Sequence, residues 1–218
     1  MKLSDLLFSE AEPLWIKAAN KKFLIAMANG TLDKSRYRNY MLQDYFYLKD
    51  YIEILKQIVT LAQDLPLMDF LKKIAEETEK ELYRVHIPEM KKIGIGKSDM
   101  ERGIRSQIVT NYINYFHQKI DEGGLTSGLT ALLQCSWNYA YIAQTISERY
   151  PCELSQSVYK SWFDAYTCKE YVETNQLWIH VLDQYTSGIR FEEANQLCQI
   201  FKSCACFENM FWDYLYEQ

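Results

Sequence analysis

Cys135 and Tyr139 stand four residues apart in a stretch, residues 131–143, that contains no Gly or Pro and whose apolar residues recur at helical spacing. A thiol and a phenol therefore project from one side of one helix. A thiolate is a nucleophile, so the pair could belong to a site. Cysteine is also among the most buried residue types and behaves as a small hydrophobe, and this chain has six. From Cys135 alone, nucleophile and inert core residue are both open, so catalysis needs partners from elsewhere in the chain.

Two carboxylates interrupt stripes where a charge is costly. Tyr40, Asp44, Tyr47 and Tyr51, spaced four, three and four, lie along one face of a long predicted helix. An aspartate among rings must be paired or hydrogen-bonded; Asp44 either anchors a ligand, an amino group suiting it, or bonds the neighbouring tyrosines. Glu208 is the polar exception in the line Leu197, Phe201, Cys204, Glu208, Phe211 and Leu215. Desolvation raises the pKa of such a glutamate towards the range of a general acid or base. The alternative is a glutamate that reaches the surface or bonds a tyrosine. Tyr112 is a core residue by default, and Trp162 and Tyr166 stand four apart on a short helix.

The elements that must carry these groups are helices. Hydrophobic residues make up 48% and charged residues 24% of the 218, while 8 Gly and 4 Pro leave little material for turn-rich β architecture. The expected order is a helical region over 4–28 that Pro13 bends or restarts and Asn29-Gly30 ends, then a helix capped by Asp33 or Ser35 and running to about Gln63, before Pro66. On that helix Tyr37, Met41, Leu48, Ile52, Leu55 and Val59 read as ordinary core. A third helix, 68–93, has Phe70, Leu71, Ile74, Leu82 and Val85 as its core line, a bend near Pro88, and Glu76, Glu77, Glu79 and Glu81 as a solvated face. Ser98 and Glu101 have the spacing of a capping box. Helices follow over 104–120, 127–150, 155–167, 169–185 and 191–216, the first stopped before Gly123-Gly124, the second by Pro151, and the last set off by Gly188.

Seventeen tyrosines suggest an interior that is apolar in body but hydrogen-bonds at its tips, as a ring-lined polar pocket would. A net charge of −5 and the absence of a basic run argue against nucleic acid or an anionic membrane as the main partner. The first residues lack the features of a secretory signal, and no apolar run approaches the ~18 residues of a membrane span, which predicts a cytoplasmic protein with reduced thiols. His86, His117 and His180 fall on separate helices and Cys204-Ala205-Cys206 has no second pair, so no metal site is expected. Gly-rich phosphate loops and G-x-S-x-G elbows are absent.

Taken together, Leu42-Gln43-Asp44-Tyr45-Phe46-Tyr47-Leu48, Leu132-Leu133-Gln134-Cys135-Ser136-Trp137-Asn138-Tyr139, Trp162-Phe163-Asp164-Ala165-Tyr166 and Glu208-Asn209-Met210-Phe211-Trp212 resemble, in order and spacing, the TenA (thiaminase II) family. The resemblance covers nearly the whole chain. It implies an all-α, single-domain helical bundle of the haem-oxygenase-like fold over residues 1–218. It also implies an aminopyrimidine aminohydrolase and thiamin hydrolase, free of cofactor and assembled as a homotetramer, that salvages the hydroxymethylpyrimidine half of thiamin. Carried over by position, Cys135 resembles the nucleophile, Asp44 and Glu208 the carboxylates that hold and protonate the pyrimidine, and Tyr47, Tyr112, Tyr139 and Tyr166 the ring-lined pocket. These are residues the physical reading singles out independently.

Two departures from the family's pattern stand out. Lys21-Lys22-Phe23 occupies the place of a common His-Pro-Phe, and an E-x-x-x-H pairing ahead of His86 is lost, since Leu82 stands at the glutamate's place with Glu81 beside it. The second could alter support around the pocket. A non-catalytic pyrimidine-binding or regulatory protein on the same fold is the alternative reading, and it would need Asp44 and the tyrosines but not Cys135. An oxidase or haem-handling relative would need histidine and carboxylate ligands that the sequence does not offer in an obvious set.

Overall fold

In the computed structural model, which describes residues 2–218, every regular element is helical. The order is α1 Leu3–Ala19, α2 Lys22–Ala28, α3 Lys34–Leu61, α4 Leu65–Glu81, a π turn Leu82–His86, α5 Ile87–Lys92, α6 Lys97–Arg102, α7 Gln107–Arg149, α8 Pro151–Gln156, α9 Lys160–Thr167, α10 Lys169–Tyr185 and α11 Phe191–Glu217. Two compact units divide the chain. One holds residues 1–32 and 129–218, the other residues 33–128.

In the first unit α1 packs along α11. Trp15, fully buried, sits among the rings of Phe8, Trp137, Tyr141 and Phe201, with centroids 5.3–5.8 Å away. Pro13 does not break α1; the helix runs through it and ends at Asn20. The lost hydrogen bond at Pro13 is a local cost, whereas Leu7, Ala11, Trp15 and Ala18 bury a continuous face, and that burial decides the outcome. Gly30 closes α2 at φ +69°, a conformation costly for other residues, and a Cβ there would lie 3.5 Å from the backbone of Ser157. The stripe expected on the last helix is buried at every position, from Leu197 to Leu215, Glu208 included.

In the second unit Asp33 caps α3 as expected, its carboxylate accepting from the Ser35 N–H at 2.7 Å. On α3 the mixed stripe Tyr40, Asp44, Tyr47 and Tyr51 is buried at every position, while of the expected core line Met41, Ile52 and Leu55 are buried and Tyr37, Leu48 and Val59 half-buried. Gln43, also buried, donates to the Ile104 carbonyl at 3.0 Å and accepts from the Ser106 N–H at 2.8 Å, pinning the segment that leads into α7.

Several boundaries differ from the sequence reading. Gly96 rather than Ser98 starts α6, because Asp99 Oδ2 accepts from the Gly96 N–H at 2.8 Å. The helix expected over 155–167 is two, α8 and α9, separated at Ser157, whose hydroxyl donates to the Met27 carbonyl at 2.6 Å. α7 is interrupted once, at Gly124 with φ 62° and ψ −147°, where the sequence places a stop before Gly123-Gly124.

Candidate active site

In the first unit, Cys135 is half-buried beside Leu132, Leu133 and Gln134, which are fully buried. One turn on, Tyr139 meets Tyr166 edge to face at 5.0 Å, Trp162 at 5.8 Å and Trp212 at 5.6 Å. The C-x-W-x-Y helix, α9 and α11 thus share one aromatic cluster. Glu208, 2% exposed, precedes Trp212 by one turn of α11. The thiol and the carboxylate are each one helical turn from a ring of the Tyr139–Trp212 contact.

Two residues with no expected role at the site hold the backbone next to Cys135. Tyr171 on α10 donates its hydroxyl to the Ser136 carbonyl at 3.2 Å and accepts from Ser136 Oγ at 3.1 Å. Asn175, one turn further, donates to the same carbonyl at 3.4 Å and to the Tyr171 carbonyl at 3.2 Å. The signal available in sequence was their i, i+4 spacing on one face of α10, which links them only once Ser136 is known to lie opposite.

In the second unit, the Tyr47 and Tyr112 rings stack at 5.6 Å with 28° between their planes, and Tyr112 meets Phe116 at 4.5 Å. Asp44 is 5% exposed. Burial pushes its carboxyl up to about 7, against a hydrogen bond from the Tyr40 phenol that pulls the other way. Its Oδ2 lies 3.5 Å from His86 Nδ1, and His86 Nε2 lies 2.8 Å from the Met41 carbonyl oxygen. Burial lowers the proton affinity of His86, with the Met41 bond and the Glu81 charge opposing it.

Glu81 departs from the solvated face the sequence reading gives it. It is half-buried. Burial first, then the charge of Asp44, raise its carboxyl to about 7, with His86 opposing. The π turn Leu82–His86 lies between Glu81 and His86, and each of the two groups feels the charge of the other. Val85, expected in the core line, is 56% exposed.

The structure therefore places Cys135, Tyr139, Tyr166 and Glu208 in the first unit and Asp44, Tyr47 and Tyr112 in the second. Among the described residues no three His, Cys, Asp or Glu side chains gather as a metal site, and no helix is long and apolar enough to cross a membrane. Lys21 of the departing Lys-Lys-Phe is buried and ion-paired with Asp213 at 2.6 Å.

The TENA/THI-4/PQQC family model matches residues 8–218. A protein of Halalkalibacterium halodurans named aminopyrimidine aminohydrolase is 28% identical over 221 residues, covering 100% of this chain and 97% of its own. One of the same name from Helicobacter pylori is 26% identical, covering 100% of both. The solved TenA homologue from P. horikoshii OT3 superposes with a TM-score of 0.88 at 25% identity, over 100% of this chain and 99% of that one.

Proposed function

This chain belongs to the TENA/THI-4/PQQC family, and from that premise we propose that it is an aminopyrimidine aminohydrolase. In this reading it hydrolyses 4-amino-5-aminomethyl-2-methylpyrimidine, and thiamin, to 4-amino-5-hydroxymethyl-2-methylpyrimidine in thiamin salvage. The observation that carries the reading is Cys135, a thiol that keeps partial exposure directly after three fully buried residues, one turn from Tyr139. The names of the two relatives, matched end to end, support the same activity.

The proposed chemistry follows from the residue types. The Cys135 thiolate adds to the electron-poor ring while a ring nitrogen takes up a proton. The electron pair then expels the amine from the exocyclic methylene, water adds at that carbon, and loss of the thiolate and a proton restores aromaticity. Glu208 passes a proton to the departing amine and takes one from the incoming water. Asp44 bonds the ring's amino group and adjacent nitrogen, and Tyr47, Tyr112, Tyr139 and Tyr166 stack on and orient the ring. The four long aromatic-rich motifs act in this reading as one functional domain. We further propose a cytoplasmic homotetramer whose partner is a small molecule rather than nucleic acid or membrane, which the net charge of −5 supports.

Ammonia release from the aminomethylpyrimidine by wild type and Cys135→Ser, beside a thiamin-cleavage assay, tests the catalytic reading. Release by wild type that vanishes in the variant, with pyrimidine affinity kept, is the expected result. Pyrimidine binding by wild type without any release would instead favour a sensor. Light scattering tests the tetramer.

A further inference from the structure

Along α10, Tyr171, Asn175, Trp178 and Leu182 recur at helical spacing; the last three are buried and Tyr171 is half-buried. An asparagine in a buried row is costly unless it is bonded. Asn175 has the carbonyl oxygens of Ser136 and Tyr171 before it, at 3.4 and 3.2 Å, and a carbonyl only accepts, so its amide nitrogen is the atom that faces them. The Tyr171 hydroxyl donates to the same Ser136 carbonyl at 3.2 Å. Two donors from successive turns of α10 therefore converge on one oxygen of α7.

Inside a helix one lone pair of a carbonyl goes to the N–H four residues on, and the second is left over for donors of this kind. Both bonds are longer than the ordinary length of about 2.7–3.0 Å, so neither adds much to stability. Their effect is directional, because two donors on one oxygen fix where the peptide sits. The Cα of Cys135 is about 3.8 Å from that of Ser136, and a shift of the held peptide carries the sulfur with it.

The Tyr171 ring makes a second connection, separate from its hydroxyl. It meets Tyr166 edge to face at 5.1 Å, and Tyr166 meets Tyr139 edge to face at 5.0 Å. Tyr139 follows Ser136 by three residues, so the contacts leave α7, cross α10 and α9, and return to α7 within one turn. Sliding α7 past these rings must break either a hydrogen bond or a ring contact.

We propose that Tyr171, helped by Asn175, is a positioning residue that sets the register between the Cys135 sulfur and the ring face offered by Tyr139 and Tyr166. The proposal rests on the reading of Cys135 as the nucleophile and of those two tyrosines as the surface that orients the substrate. Sulfur adds to a ring carbon only from a narrow range of distance and direction, and a misplacement of about 1 Å costs on the order of 10²-fold in rate. The Tyr171 hydroxyl holds the sulfur's side of that geometry and its ring holds the substrate's side.

Mutation separates the two halves. Tyr171→Phe keeps the ring and removes the hold, Tyr171→Leu removes both, and Asn175→Ala removes the second donor. Asp183→Ala is the control for docking of α10, since Asp183, two turns beyond Asn175, accepts from the Ser4 N–H at 2.9 Å and the Ser4 hydroxyl at 2.7 Å. Amide hydrogen exchange over residues 135–141 reads the hold without substrate. It is expected to quicken roughly 2- to 10-fold in Tyr171→Phe and Asn175→Ala, the worth of one net hydrogen bond, and to stay unchanged in Asp183→Ala. Ammonia release from the aminomethylpyrimidine reads the register. In Tyr171→Phe kcat is expected to fall about 10- to 100-fold with KM within about twofold of wild type, in Tyr171→Leu KM rises as well, and Asp183→Ala keeps both constants while lowering the unfolding temperature.

Exchange unmoved in folded Tyr171→Phe overturns the proposal, as does a kcat that falls equally in Asp183→Ala or a Tyr171→Phe variant that changes KM alone. Exchange that responds as expected in a protein whose wild type releases no ammonia overturns the nucleophile reading and the register with it, leaving the hold on Ser136 standing.

Discussion

Lys21 Nζ lies 2.6 Å from Asp213 Oδ2, tying the start of α2 to the end of α11, and the two partners differ sharply in exposure, 8% against 56%. The lysine depends on the pair more than the aspartate does, because water can solvate the aspartate alone. Asp213→Asn weakens the charge-assisted bond to a buried ammonium and is expected to cost about 1–3 kcal/mol in denaturant unfolding. Lys21→Met leaves a carboxylate that solvent already reaches and should cost less than about 1 kcal/mol. Equal losses would show that the pair contributes through packing alone.

Asp44 makes stability depend on pH with a definite sign. Its folded pKa, about 7, is above the ordinary 3.8, so over that window the folded state binds more protons than the unfolded one. Its favourable contribution is complete below about pH 4 and is lost as pH rises through about 7. Asp44→Asn removes the titration. Relative to wild type, the variant should gain stability between pH 5 and pH 8 by as much as about 3 kcal/mol, from 1.36 kcal/mol per unit. His86, whose affinity is lowered, acts with the opposite sign below its ordinary 6.5 and is present in both proteins. Urea unfolding at the two pH values checks the difference, and a constant offset would refute it.

Glu208→Gln separates a proton carrier from a structural carboxylate. The amide keeps the shape and much of the hydrogen bonding of a side chain that is 2% exposed, so unfolding should change little. As a general acid and base the residue is worth about 10²–10⁴ in turnover. The expected outcome is a fall of that size in kcat for ammonia release, with affinity for the hydroxymethylpyrimidine product kept. Loss of stability and affinity with kcat intact would make the carboxylate structural.

Gly128 tests packing between α3 and α7 within the second unit. A Cβ at this position would lie 2.7 Å from Ile58 Cγ2 and 3.2 Å from Ile120 Cγ1. Alanine in a helix is favoured over glycine by about 1 kcal/mol, but overpacking a tight contact costs about 1–3 kcal/mol. Ile58 is fully buried and has little room to move. Gly128→Ala should therefore destabilise, and a thermal shift upward would show that the contact yields.

Much of the fold was legible because its signals are local. Asp33 caps α3, Gly30 ends α2, Lys169 and Tyr185 bound α10, and the Leu197-to-Leu215 stripe is buried, Glu208 within it. Each rests on backbone donors, a left-handed turn or a 3.6-residue period within a few residues of the feature. The aromatic site candidates were legible in the same way, as rings at helical spacing, and Tyr139 with Tyr166 and Tyr47 with Tyr112 do meet.

What the sequence by itself determined was the helical class, most of the helix ends and the residue types able to do chemistry. Only the tertiary structure decided that α1 would run through Pro13, that the mixed face of α3 would be its more buried one, and that Tyr171 and Asn175 would hold Ser136. It also decided that α4 would end in a π turn, Leu82–His86. Those outcomes are set by which distant surface covers a helix. His86 is held by a carbonyl 45 residues away, and a contact at that separation leaves no period or cap in the sequence around it.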